Sequence, residues 1–264
     1  MRHRARFLLI LALIGAASLA SQTAHAEDRE IAKRRAAERK TFTDAEIFDG
    51  FFRTAFGAEM KISGRVDGIR KYVVPVRVFV ENRARPDRGE QVAAVVADIK
   101  ARVEHLDVAM TADRASANIV VRLLNERDFE PALRAAYGRE RTRKIQKSLD
   151  PQCLSAFRKD AGLRIVHSDV FLVADRGDFI FYDCAYEELL QSMGPINDTD
   201  KVPWTMFNDA VQMGFFDVYD QYILNILYHP RVQPGMTRQQ VKVLLPEIMP
   251  AVRAFVAKVN NLKP

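Results

Sequence analysis

Two cysteines, Cys153 and Cys184, are the whole thiol inventory of this 264-residue chain. Their compartment decides what they can do. The first 26 residues have the three-part form of a secretory leader: basic Arg2, Arg4 and Arg6, an apolar run over residues 7–19, and Ala24-His25-Ala26 as a small-x-small cleavage site. That run falls short of the roughly 20 residues that span a bilayer, so cleavage after Ala26 and a periplasmic or secreted protein are expected. In such an oxidising setting an even pair of cysteines reads as a disulfide. A Cys153–Cys184 bond would pin the helix that begins near Cys184 to the loop before it.

With 48% hydrophobic residues, 12 Gly and 11 Pro, the chain has the make-up of a globular protein, which excludes disorder and collagen. Residues 27–40 are charged and nearly free of large apolar side chains, which predicts a frayed helix or linker; residues 41–264 form the expected domain. Thr43 and Glu46 make a capping-box pattern, and Ile47, Phe48, Phe51, Phe52, Ala55 and Phe56 follow at helical spacing until Gly57. Strands are expected at 72–80, 118–124, 165–174 and 178–181, and helices at 91–106 and 128–137. The stretch 138–162 reads as basic and irregular. A helix over 182–193 should stop at Gly194, another spans 216–228, and 237–260 should be helical with breaks at Pro246 and Pro250. The fold class is α+β: a mixed sheet covered by helices, with a helical C-terminal segment.

The formal net charge is +6, but the leader holds three of the arginines and no acid, so half of that excess leaves with it. Basic residues concentrate in 29–40 and 134–147, read as solvated helix faces. No aromatic residues interleave with them as in single-strand readers, so nucleic acid is not an expected partner. After the leader no apolar stretch reaches membrane-spanning length. There is no Gly-rich phosphate loop, no Gly-x-Ser-x-Gly elbow and no His-x-x-x-His, and no cofactor is expected. His105, His167 and His229 are spaced too widely to form a local zinc clamp.

One cluster stands out, Glu187-Glu188 through Asn197-Asp198. Glu187 and Gln191 lie four apart on one helix face, while Glu188 lies about 100° round the axis. Adjacent acids buried together split their pKa values, so Glu187 or Glu188 with Asp198 would suit acid–base hydrolysis of a glycan or peptide. The same carboxylates would suit a hard divalent ion.

The order of these residues resembles the active-site stretch of the metzincin branch of zinc peptidases. There a helix bearing His-Glu-x-x-His runs to a Gly and a third His, then to a Met-containing turn and a helix ending in Leu-Tyr. In this sequence Glu187 stands at the first ligand position, Glu188 at the general base, Gln191 at the second ligand, Gly194 at the turn glycine and Asn197 at the third ligand. Thr205-Met206-Phe207-Asn208 is similar to the turn beneath the metal, with Phe207 in place of its methionine, and 217–228, ending in Leu227-Tyr228, to the closing helix. The same stretch, with residues 54–57 and 230–236, also resembles an exported proteobacterial family of unknown function.

The resemblance implies a zincin-like domain without the metal-binding histidines. One carboxylate and two amide carbonyls are poor zinc ligands, and without the ion no water is activated for Glu188. The expectation is therefore a catalytically inactive domain that binds an extended peptide or cell-envelope component by strand addition. In it, Gln191 and Asn197 would hydrogen-bond where metal bonds would otherwise tie the helix to its loop.

Overall fold

The computed structural model describes residues 28–57, 67–148 and 152–263; the expected leader and its expected cleavage point at Ala26 lie outside them. Elements run in the order α1 (Arg29–Ala37), α2 (Asp44–Thr54), β1 (Val76–Asn82), α3 (Gly89–Arg102), β2 (Val108–Met110), β3 (Ile119–Leu124), α4 (Glu126–Ser148), β4 (Cys153–Lys159), β5 (Ile165–Val173), α5 (Asp178–Gln191), α6 (Val218–Tyr228) and α7 (Arg238–Val259). This is a mixed α+β fold. No helix among the described residues is long and apolar enough to cross a membrane.

The sheet order is β2-β1-β3-β5-β4. Its first four strands run parallel, and β4 is antiparallel to β5, with Leu154 opposite Phe171 and Ala156 opposite Asp169. Successive strand residues face opposite sides, and β5 shows the consequence. Val170 and Leu172 join the main core beneath α3, α5, α6 and α7, whereas Phe171 and Val173 join a smaller one under α4, with Phe129, Leu133 and Ile145.

Helix α6 is the centre of the larger layer, because every residue from Val218 to Tyr228 is buried. Its polar side chains therefore need internal partners. Asn225 donates to the carbonyls of Arg102 and Gln221 and accepts from the Glu104 amide. Lys71 donates to the Leu227 carbonyl at 2.9 Å, satisfying the end of the helix, and burial lowers its pKa to about 8.

Several sequence expectations are corrected. Residues 29–37 are a docked helix: Ile31 is buried against Gly214, and the Arg34 and Arg35 guanidiniums lie over the rings of Phe179 and Phe215. The expected strand at 178–181 is the first turn of α5, entered from Gly177 at φ 92°. The stretch 138–162 contains the second half of α4, beyond a kink at Gly138, and the whole of β4. Pro246 and Pro250 do not break α7. Both are exposed, so the carbonyls they leave without a helical donor, those of the exposed Lys242 and Pro246, sit on the solvent side. The capping box at Thr43 and Glu46 and the bond between Cys153 and Cys184 are both present.

Candidate functional site

Asp183, Glu187 and Gln191 fall at i, i+4 and i+8 on α5 and so share one face. The loop from α5 to α6 folds back over that face. Asp183 accepts from the amides of Met213 (2.7 Å) and Gly214 (3.2 Å), and burial pushes its carboxyl up to about 6. One turn on, carboxylate oxygens of Glu187, Asp198 and Asp209 all lie within 4.8 Å of one another. Burial, then repulsion from Glu188, Asp198, Asp183 and Asp209, holds the Glu187 carboxyl well above the usual carboxylate range. A further turn on, the Gln191 amide donates to Asp198 Oδ1 at 2.6 Å, while its carbonyl accepts from the Ser155 hydroxyl of β4 at 3.4 Å.

The residues around this face fix its shape. Gly194 ends the helix region at φ 144°, where a Cβ would stand 2.4 Å from the Arg70 carbonyl oxygen. Tyr228 Oη donates to the Met193 carbonyl at 2.9 Å, and the Ser168 hydroxyl donates to the Ser192 carbonyl at 2.8 Å, so the end of α5 is bonded to both α6 and β5. Phe207 is fully buried; its carbonyl accepts from the Thr199 amide at 2.8 Å. Thr205 and Met206 bond to Asp220 of α6.

The sequence-derived residues do not all converge. Glu187, Gln191 and Asp198 meet. Asn197 turns away: its amide donates to the Arg53 carbonyl at 2.8 Å, tying the loop to the end of α2. Glu188 is buried on α5 but is not one of the three grouped acids. Asp183, Asp209 and Ser155 were not identified from sequence. Asp183 carries a usable signal, one helical turn before Glu187, whereas nothing local marks Asp209 or Ser155. His105 and His229 approach edge to face with ring centroids 5.9 Å apart, beyond the C-terminal end of α6, and His167 lies by Asp169 on β5. A cavity of about 460 Å³ is lined by Phe56, Gly57, Asp67, Thr237, Arg238 and Gln239, and none of the three grouped acids lines it.

The donor set does not fit zinc. The grouped atoms are carboxylate oxygens with no imidazole or thiolate, a hard set that matches calcium or magnesium in type. What the arrangement offers is a carboxyl held well above the usual carboxylate range beside two further acids, on a helix face cross-linked to β4.

No curated protein and no solved structure gives a significant match to the chain. A family model, "Protein of unknown function (DUF2927)", matches residues 44–247. That span takes in the sheet, α5 with its acids and the closing helix α6, and the chain belongs to this family.

Proposed function

We propose that the protein is an exported, zincin-like domain without zinc hydrolysis, which binds an extended peptide or cell-envelope component along the β4 side of the sheet. The observation that carries this reading is the chain Ser155–Gln191–Asp198. At the position where the metzincin resemblance puts a metal ligand, an amide bonds the helix to strand and loop. The element order supports the fold assignment: sheet, site helix, glycine turn at Gly194, buried turn at Phe207, and a closing helix ending in Leu227-Tyr228. Strand β4 stands at one end of the sheet order and is bonded to α5 through Cys153–Cys184, giving strand addition a braced template.

The test is capture from envelope extract with the mature chain and with Ala156→Pro in β4, each checked for folding by its thermal transition. Partners should be recovered by wild type and lost with the proline variant, and the purified chain should carry no stoichiometric zinc. Equal recovery by both would overturn the reading.

A second reading, a carboxylate hydrolase, is favoured by the raised Glu187 carboxyl beside Asp198 and Asp209. Glu187 would act as acid and Asp198 as base on a glycan or peptide, with Glu188 on the adjoining face. A hard divalent ion held by Glu187, Asp198 and Asp209 belongs to this reading. Turnover abolished by Glu187→Gln or Glu188→Ala would decide for it.

A further inference from the structure

We propose that Asp217 and Asp220 share one proton, forming a clasp that fastens residues 28–40 and the turn at 205–207 to the start of α6 in acid and loosens both in base. The first amides of α6 are filled by carboxylates. Glu38 Oε1 accepts from Val218 at 2.6 Å, and Asp217 Oδ1 accepts from Tyr219 at 2.8 Å and Asp220 at 3.1 Å. Asp220 in turn takes the Thr205 hydroxyl on one oxygen at 2.5 Å and the Met206 amide on the other at 2.7 Å. Both aspartates are at most 1% exposed.

One atom of this arrangement has no donor. Asp217 Oδ2 is buried without a hydrogen-bond partner among the described residues, and its charged neighbour is the Asp220 carboxylate. A bare carboxylate oxygen in that position is costly, and a proton on it turns an orphaned acceptor into a donor toward Asp220. Asp220, with a hydroxyl and an amide donating to it, is the better place for the remaining charge, and the start of a helix favours keeping one.

The surrounding charges do not relieve the pair. From the N-terminal arm Glu38 adds a third acid, itself raised by burial; Lys40 stands 3.9 Å from it, and Arg35 of α1 and Arg102 of α3 offset part of that rise. From α2, Asp49 acts on the Tyr219 hydroxyl, which is held protonated by burial. Burial, followed by Asp220 and Glu38, holds Asp217 well above the ordinary range, and burial raises Asp220 to about 6. Loss of the shared proton leaves adjacent buried carboxylates that repel, at the point where arm, turn and helix meet.

The experiment compares wild type with Asp217→Asn between pH 5 and pH 9. The amide keeps an acceptor for the helix amides and a donor for Asp220 but has no proton to lose. Thermal transitions and exchange of the amides in 28–40, normalised to free-peptide rates, are the readouts. Wild type should lose several degrees of Tm toward pH 9, with arm exchange at least tenfold faster; Asp217→Asn should match it at pH 5 and lose clearly less Tm and less arm protection toward pH 9. Parallel curves, or an arm equally protected at both extremes, would overturn the proposal. If Asp217→Asn does not fold, carboxyl-carbon NMR of wild type decides. Two aspartates titrating together above the normal range support the clasp, and complete ionisation by pH 6 refutes it.

Discussion

The Gln191 amide reaches Asp198 Oδ1 at 2.6 Å and so closes the loop over the acid-bearing face of α5. Because its carbonyl also accepts from Ser155, this one side chain couples helix, loop and strand. Gln191→Ala removes both bonds in a buried setting and should cost about 1–3 kcal/mol in urea unfolding. Amide exchange should accelerate in 198–209 more than in the sheet.

Gly194→Ala should be more damaging. The new methyl would enter within 2.4 Å of the Arg70 carbonyl oxygen and 2.8 Å of Leu227, in a backbone conformation that favours glycine. Overpacking and strain together predict a loss on the order of 2–4 kcal/mol, read as a shift of the denaturation midpoint at unchanged slope. A neutral result would show that the turn after α5 can relax away from Arg70.

Cys153→Ser with Cys184→Ser opens a loop with a sequence separation of 31. Restricting a loop of that length in the unfolded chain is worth about 3–4 kcal/mol, so unfolding should occur at correspondingly lower urea. Exchange should rise at the start of β4 before it rises in β3, because the bond holds an end strand and not a central one.

Glu187→Gln tests the electrostatics of the site. A carboxyl whose folded pKa lies above its unfolded one contributes stability that is complete in acid and is lost as pH rises through the folded value. Wild type and Glu187→Gln should therefore have similar Tm near pH 4. The variant should be higher by a few degrees at pH 8, since glutamine has no proton to release. A variant less stable at every pH would mean that the Glu187 carboxylate is an anchor and not a burden.

Features set by near neighbours in the chain are legible in the sequence. The capping box at Thr43 depends on Glu46 three residues on, and the end of α5 depends on Gly194. Features set by distant packing are not. Residues Asp178 to Phe181 are rich in β-favouring aromatic and branched side chains, yet they open α5, where Phe181 is buried and Asp178 bonds Arg88. Strand β4 has a weak alternation, and it exists because Leu154 and Phe157 lie against α4 and the main core once β5 is beside them. The same division runs through the site. Helical spacing brings Glu187 and Gln191 together, but the loop path that delivers Asp209 and turns Asn197 toward α2 is written in no local pattern.

Helix α6 lies late in the chain, yet residues from many earlier elements close upon it: Glu38, Phe42, Lys71, Tyr72 and Arg102. A growing polypeptide that has not reached Tyr228 therefore has no inner wall for its first half to rest on. Contacts so far apart in sequence raise the contact order, so folding is expected to be slower than in a domain whose core is built by chain neighbours.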